Sequence, residues 1–372
     1  MTVLKKADGP DTLTPTTIPK VGLPKGTMVT DRTSIETDWT CGMRYWWYKH
    51  EGGIGIAPAV EQSYFLLGRQ IHDDFGSVAE GVPYQDVIQT VAAPETGDQL
   101  AWETHYRRLG WVVAFGKYIW PRWKKDYEVV KVEGEMILDR SPLWVAFTPD
   151  LVLRGINKSL DTYGKLVYKE YKTTKMKSPS WVAHWDAAVQ MHISLMGLQE
   201  ELNEPVAFAH VVGLDKGYEK DGRLNHPYVW AYRTDDGTWL PKYKWGVPHA
   251  PVWEYEDGIE KWVDFCGEDV VNNQFITSAP IFLDPRLLES LIRRRIEREK
   301  EIREWKEASG KDWAVREQHF EQRFNQCRPA IGSECPFYAA CKNFTVQQDP
   351  LGSGLYVPRV PHHEVEILGV DG

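Results

Sequence analysis

Three side chains in the middle of the chain have the types and spacing that hydrolytic chemistry needs. Asp150 follows Thr148 and Pro149 at the end of one predicted strand, and Glu170 and Lys172 lie two positions apart on the next, KLVYKEYKTT. Residues i and i+2 of a strand project to the same face, so Glu170 and Lys172 are expected to point together. Pairing of the two strands would bring Asp150 beside them. Two converging carboxylates bind Mg²⁺ or Mn²⁺, and a lysine nearby can orient the attacking water or balance charge in phosphodiester hydrolysis.

Two more side chains are candidates for the same site. Gly68 and His72 are one helical turn apart in LGRQIH, and the imidazole is a candidate third ligand beside Asp150 and Glu170. Gln190 lies in a predicted helix after the third strand, where its amide could hold a phosphate or the attacking water. Taken singly, each residue also has a structural interpretation: an ion pair on an exposed strand, or a histidine beside an apolar stripe.

Cysteines form a second candidate site. Cys327, Cys335 and Cys341 cluster near the C-terminus, and Cys41 is available far upstream as a fourth ligand. An odd number of cysteines without a secretory signal argues against a disulfide framework and favours metal. Thiolates suit both iron–sulfur and zinc, so the spacing leaves the metal open. Cys266 is expected to be a small buried hydrophobe.

Composition sets the class of protein. The chain has 372 residues, of which 42% are hydrophobic and 26% charged, which excludes a disordered or collagenous chain. No apolar run approaches the ~18 residues of a membrane span, and we expect a cytoplasmic protein with no membrane partner. The net charge of −9 argues against a general nucleic-acid coat protein, although a local basic groove stays compatible with it. Most of the 17 tryptophans are expected in the core.

Hydrophobic periodicity predicts the elements that position these residues. A capping box at Thr33–Glu36 predicts a helix start near residues 31–34, and a charged helix with basic residues Arg293, Arg294, Arg295 and Arg298 is predicted late in the chain. That basic run is either a solvated helix face or a DNA-facing ridge. The alternation of helices and strands predicts a mixed α/β sheet rather than a sandwich. The predicted helices are 31–51, 61–80, 97–120, 178–202 and 285–308, and the predicted strands are 127–138, 142–153, 165–174, 205–214 and 226–234.

The candidate residues, in this order, closely resemble the PD-(D/E)XK nuclease superfamily, in its RecB-type branch with CRISPR-adaptation and phage exonucleases. That family's signature is Gly-x-x-x-His, an Asp closing a strand, Asp/Glu-x-Lys on the next strand, and Gln-x-x-x-Tyr on a helix. The chain matches at Gly68/His72, Asp150, Glu170/Lys172 and Gln190, but Ser194 stands at the tyrosine position. The resemblance spans about residues 33–345.

The resemblance implies a restriction-endonuclease-like α/β core with helical elaborations. It implies a metal-dependent exonuclease acting on single-stranded or free-ended DNA, with a helicase or recombination partner. It also implies that Cys41, Cys327, Cys335 and Cys341 hold a 4Fe–4S cluster, with zinc as the alternative, that closes the chain's two ends around the core. Two rival functions are a non-catalytic scaffold that binds DNA or a helicase, and a structure-specific endonuclease.

The expected organisation is an arm at 1–30, a nuclease core at 31–284, a cysteine segment at 285–345 closing onto Cys41, and a tail at 346–372. Aromatic side chains are expected along the DNA path, where they would stack on bases; these are Trp46, Trp47, Tyr118 and Trp120. Basic residues are expected at the mouth of the site, namely Arg69, Lys169, Lys172, Lys175 and Lys177.

Overall fold

A computed structural model describes residues 27–51, 55–59, 63–95, 97–175, 179–220, 223–242, 244–309 and 335–361, with residues 316, 319, 320, 327, 363 and 366. Most of the predicted arm and Lys177 lie outside these residues. Within them the chain is mixed α/β, as the alternation of elements predicts. None of the described helices has the combined length and apolar character needed to cross a membrane.

Strands and helices are numbered here in chain order. The strands are β1 Met28–Asp31, β2 Ile56–Pro58, β3 Tyr127–Val132, β4 Met136–Arg140, β5 Leu143–Phe147, β6 Leu151–Gly155, β7 Leu166–Thr174, β8 Val206–Asp215, β9 Tyr218–Lys220, β10 Arg223–Asn225, β11 Trp230–Arg233, β12 Trp239–Leu240, β13 His249–Pro251, β14 Phe275–Thr277 and β15 Tyr356–Pro358. The helices are α1 Arg32–Thr40, α2 Gly42–Lys49, α3 Ser63–Ala79, α4 Tyr84–Thr90, α5 Gln99–Ala114, α6 Trp120–Asp126, α7 Pro179–His184, α8 Val189–Leu202, α9 Gly258–Gln274, α10 Pro285–Ser309, α11 Tyr338–Lys342 and α12 Phe344–Gln348.

A five-stranded mixed sheet in the order β14-β8-β7-β6-β3 forms the centre. β7 and β8 are parallel, with α8 as the crossover between them, and the other neighbours are antiparallel. A second sheet in the order β1-β5-β4 lies beside it. The chain passes from the second sheet to the first between β5 and β6, at residues 148–150, so the two sheets diverge where Asp150 stands.

Two predicted strands are each divided between these sheets. The predicted strand 127–138 breaks because Glu133 and Gly134 adopt positive φ values of 47° and 93°, a turn that ends β3 before β4 begins. The predicted strand 142–153 breaks at residues 148–150, where β5 ends and the chain enters β6. The prediction of two continuous strands is therefore wrong, because local composition does not encode which sheet a residue joins.

Two predicted helices are also interrupted. The predicted helix 31–51 breaks at Cys41, which is extended at φ −163° and ψ 111° between α1 and α2. Its N-cap is Asp31, which accepts a hydrogen bond from Ser34 N at 2.8 Å, and not the predicted capping box. The predicted helix 178–202 breaks at Ala188, where ψ is 120°, so Gln190 lies in the first turn of α8 rather than mid-helix.

The central sheet has an apolar core on each face. The apolar stripe beside His72 is buried on α3, where Leu67, Ile71, Phe75 and Val78 pack with α5 and α9 on one face. On the opposite face, α8 and the apolar side of α10 pack against Tyr168. Cys266 is buried in the first core, as expected. These layers bury β6 and β7 on both faces, so the polar residues at the strand ends lie at the edge of the packed core.

A third apolar cluster gathers the two ends of the described chain. It joins α2 to the last turns of α10 and to residues 335–356. Trp46 and Trp47 are fully buried in it, and Trp120 is 7% exposed in the first core, so the expectation that these three stack on bases is wrong. The Tyr118 hydroxyl donates to Asp264 Oδ1 at 2.6 Å. β1 pairs with β5 and β15 pairs with β2, so parts of the expected arm and tail are strands.

Candidate active site

Asp150 stands at the point where the two sheets part. β6 pairs with β7 in the register Leu151 to Lys169, so the preceding residue, Asp150, comes level with Glu170. Its Oδ2 accepts a hydrogen bond from the backbone N–H of Tyr171 at 2.6 Å. The side chain is buried, 5% exposed. The pairing of the second and third predicted strands therefore brings Asp150 to the Glu-x-Lys segment, as the sequence predicts.

His72 reaches Asp150 from α3. Its Nδ1 lies 3.2 Å from Asp150 Oδ1, and its ring packs edge-on against Tyr171. Burial disfavours the charged imidazole, but the Asp150 carboxylate outweighs burial and raises the pKa of His72. Burial likewise opposes ionisation of Asp150. The pKa of Asp150 nevertheless lies below its usual range, because its carboxylate is stabilised by the positive charges of His72, Lys172 and Arg32. The site therefore keeps the Asp150 carboxylate charged.

Glu170 and Lys172 lie together on one face of β7, as the i and i+2 spacing predicts. Lys172 Nζ is 2.5 Å from Glu170 Oε1. Glu170 is fully buried, whereas the Lys172 side chain is 26% exposed. The lysine therefore connects a buried carboxylate with the solvent-accessible edge of the site.

Arg32 is a site residue that sequence reasoning missed. As the first residue of α1 it donates to both oxygens of Glu170, at 2.9 and 3.1 Å. It also donates to Ser194 Oγ at 2.9 Å. Burial opposes the guanidinium charge, but Glu170 and Asp150 raise the pKa of Arg32. No sequence spacing signals this contact, because 138 positions separate Arg32 from Glu170.

Ser194 stands where the resembling family has tyrosine. It is fully buried on α8 and accepts the Arg32 hydrogen bond, so this position supports the site through Arg32. Gln190 is one helical turn earlier on α8, partly buried. Among the described residues, it makes no hydrogen bond or ion pair with Asp150, Glu170 or Lys172, and its role stays a prediction.

A cavity of about 410 Å³ opens beside His72 and Asp150. Its lining is rich in charge of both signs, with the acids Asp31, Asp73, Glu133 and Asp150 and the bases Arg32, Arg69, His72 and His363. Arg69 is thus at the mouth, as expected. Lys169 is not, because alternation along β7 turns it to the opposite face, where its Nζ lies 5.0 Å from the Trp123 ring centroid. Burial lowers the pKa of Lys169 to about 8.

The donor types fit a hard divalent cation, but their arrangement does not yet form a site for one. Two carboxylates and an imidazole are ligands that Mg²⁺ and Mn²⁺ accept. Both Glu170 oxygens face Arg32, and Asp150 faces His72 and Tyr171 N. Across the described ranges, no three His, Cys, Asp or Glu side chains stand in an arrangement that holds a metal ion. A cation bound here would have to take the place of Arg32 on Glu170.

The four predicted cysteine ligands converge from the two ends of the chain. The N–H of Cys335 donates to the carbonyl of Cys327 at 2.9 Å, and Trp47 Nε1 donates to Cys341 Sγ at 3.2 Å. Cys41 lies at the break between α1 and α2, in the same apolar cluster. Burial raises the pKa of Cys341 to about 12; Trp47 lowers it, and the Cys335, Cys327 and Cys41 sulfurs raise it. Partly or fully buried thiols that repel one another as thiolates match a donor set for a cation, although no three of these four described cysteines stand in an arrangement that holds a metal ion.

Comparison of this sequence with protein-family models and with curated proteins finds no match. The geometry of the site is therefore what bears on the function of this protein.

Proposed function

We propose that this protein hydrolyses phosphodiester bonds in DNA, as a metal-dependent exonuclease of the PD-(D/E)XK type acting on single-stranded or free-ended strands. The observation that carries the proposal is the meeting of His72, Asp150, Glu170 and Lys172, which come from three separate elements, at one end of β6 and β7. The restriction-endonuclease-like core is part of the same proposal, and the mixed sheet with helices on both faces supports it.

The side chains at this site have distinct roles in the reaction. Lys172 positions the attacking water and balances the negative charge that develops on the phosphoryl oxygens. Asp150 orients His72 through their contact, and Arg32 holds Glu170 in place until a cation takes its position on that carboxylate. Nothing lies within 4 Å of the position a Cβ would take at Gly68, which leaves space for substrate one turn before His72. A divalent cation held by His72, Asp150 and Glu170 would supply Lewis-acid polarisation of the phosphate and a more acidic water.

Digestion of end-labelled single-stranded DNA tests the proposal. We expect cleavage products with Mg²⁺ or Mn²⁺ and loss of all cleavage on addition of EDTA. The lysine and arginine of the site are not Lewis acids, so only a bound metal ion can polarise the phosphate and the attacking water. A circular strand without ends should resist digestion, and its linear form should be degraded. Cleavage of the circle would instead assign a structure-specific endonuclease. Cleavage at full rate in EDTA would contradict the proposal.

A second candidate, a non-catalytic scaffold that binds DNA or a helicase, is favoured by one observation. Arg32 and Lys172 together engage the Glu170 carboxylate, so the site is charge-balanced without a cation. The scaffold predicts DNA binding without turnover under every metal condition. Titration with Mn²⁺, followed by electron paramagnetic resonance, separates the two, because the nuclease binds the ion at this site and the scaffold does not.

We further propose a 4Fe–4S cluster on Cys41, Cys327, Cys335 and Cys341, with zinc as the alternative. Its role is structural, since a link between residues so far apart in sequence strongly constrains the unfolded chain. What supports the proposal is the convergence of the four cysteines and the Trp47 hydrogen bond to Cys341.

The visible absorption spectrum of anaerobically purified protein tests the cluster. We expect a broad brown shoulder that disappears in Cys41→Ser, because one thiolate ligand is lost. Cys266→Ser is the matched control, since Cys266 is a buried thiol in a different apolar core, and it should keep the colour. A colourless protein with stoichiometric zinc would replace the iron–sulfur assignment, and a metal-free protein would contradict both.

A further inference from the structure

A second cavity of about 410 Å³ lies in the segment between β8 and α9. Its volume is within the ~300–1,000 Å³ typical of ligand pockets. The side chains that give it chemical character are Asn225, His226, Trp230, Tyr232 and Lys242. Three rings, one amide and one ammonium group therefore surround a space large enough for a planar ligand.

The cavity is at the same end of the central sheet as the candidate active site. Lys172 pairs with Gly213 on β8, and β8 ends two residues later at Asp215. His226 Nε2 lies 2.9 Å from the Asp215 carbonyl oxygen, so the cavity wall is attached to that strand end. Two residues of strand span about 7 Å. Lys172 is on the face of β7 that packs with α8, whereas His226 packs against Trp111 of α5, so a strand bound at Lys172 would pass round this end of the sheet to reach the cavity.

The aromatic wall is supported from behind. The Trp230 ring packs against Trp253 at a centroid distance of 5.7 Å. The Tyr232 hydroxyl is 3.0 Å from His249 Nε2, and their rings are 4.7 Å apart. Rings held by neighbouring rings lose little conformational freedom when a ligand stacks on them, which favours binding.

The two cavities differ in charge. The cavity at His72 has four acidic side chains in its lining, whereas none of the residues described as lining the second cavity is Asp or Glu. Lys242 is exposed at its edge, followed on the same loop by exposed Lys244 and by Trp245, which is 86% exposed. The second cavity therefore suits an aromatic ligand attached to an anion, and not a cation.

We propose that this cavity holds an unpaired nucleobase of the DNA strand whose phosphate lies at Lys172. The base stacks on the partly exposed Trp230 ring, Asn225 hydrogen-bonds its edge, and Lys242 contacts a neighbouring phosphate. This inference rests on the proposed function and specifies its substrate as a strand with unstacked bases. Aromatic stacking of this kind accepts every base, because each base has a π face.

Binding without turnover tests the pocket. Fluorescence anisotropy of fluorescein-labelled dT₂₀ is measured in EDTA, so that cleavage does not contribute. Trp230→Leu, which keeps apolar volume but removes the ring, should weaken binding about 5- to 100-fold. Lys242→Ala should weaken it and reduce its salt dependence, because one phosphate contact is lost. Lys261→Ala, an exposed lysine on α9, is the matched control and should leave binding unchanged.

Photocross-linking locates the base independently of any variant. A dT₂₀ strand with 5-iododeoxyuridine should cross-link to Trp230 or Tyr232, as read by mass spectrometry. A twenty-nucleotide abasic strand should bind more weakly than dT₂₀. Cross-links elsewhere, or equal binding of abasic and normal strands, would contradict the proposal that this cavity binds a base.

The failure of this inference is distinguishable from failure of the proposed function. Hydrolysis of bis-p-nitrophenyl phosphate, a small diester without a base, reports the active site alone. Trp230→Leu should keep that activity while losing DNA affinity, which supports both proposals. If the wild-type protein cross-links at Trp230 but hydrolyses neither DNA nor the small diester, the proposed nuclease function is wrong and the proposed base pocket is still supported.

Discussion

Lys172→Ala is expected to lower kcat for single-stranded DNA digestion by about 10²- to 10⁴-fold, the range for loss of a positioned proton-transfer or charge-balancing group. The ammonium group touches Glu170 at 2.5 Å and its side chain reaches the solvent edge of the site. The variant should fold, because Arg32 still donates to both Glu170 oxygens. Quantified release of labelled nucleotides, with circular dichroism as the folding check, gives the result.

Lys165→Ala is the matched control for Lys172→Ala. It removes an exposed lysine immediately before β7, at the opposite end of the strand from Lys172, so it alters surface charge without touching Glu170. We expect kcat within about twofold of the parent protein, since isolated surface charges contribute little. If Lys172→Ala is folded and digests DNA as fast as this control, the assignment of the active site is wrong.

Arg295→Met is expected to lower the free energy of unfolding by about 3–5 kcal/mol, the cost of breaking a buried ion pair by removing one partner. Arg295 is 3% exposed and donates to Asp38 Oδ2 at 3.2 Å, to Glu299 Oε1 at 2.5 Å and to the Tyr45 hydroxyl. Burial opposes ionisation of Glu299, and Arg295 brings its pKa down to about 2. Without Arg295, the Glu299 carboxylate stays buried but loses the positive charge that offsets its desolvation. Urea denaturation followed by circular dichroism measures the loss.

Two further variants make the Arg295 result specific. Arg294→Met changes the exposed neighbour on α10 and should alter stability by less than about 0.5 kcal/mol. The double variant Arg295→Met with Glu299→Gln should recover part of the loss, because it no longer buries an uncompensated carboxylate. Equal stability of the Arg295 and Arg294 variants would show that the network around Tyr45 does not join α2 to α10 as described.

This network corrects one interpretation of the basic run on α10. Arg295 points inward and bonds side chains of α1 and α2, so it does not belong to a DNA-facing ridge. Arg293 and Arg294 are exposed, and Arg298 lies between Asp38 and the Trp305 and Phe320 rings. Local composition predicts a charged helix, but it does not show which charges are turned toward the protein.

The sequence by itself determined the features that repeat along one element. The i and i+2 spacing put Glu170 and Lys172 on one face of β7, and the apolar stripe of α3 fixed the side of the helix that packs inward. Pairing of neighbouring strands then brought Asp150 beside them. These features follow from periods of two and 3.6 residues, which every local window of sequence contains.

Only the tertiary structure decided the contacts between distant elements. These contacts depend on how α1, α2 and α3 dock on the sheets. They are the contacts of Arg32 with Glu170 and of His72 with Asp150, the burial of Trp46 and Trp47, and the helix break at Cys41. Docking is set by the sum of many packing contacts, and no spacing in the sequence records it. The sequence therefore identifies the residue types of the site, whereas the charge balance that sets their ionisation arises only when the chain folds.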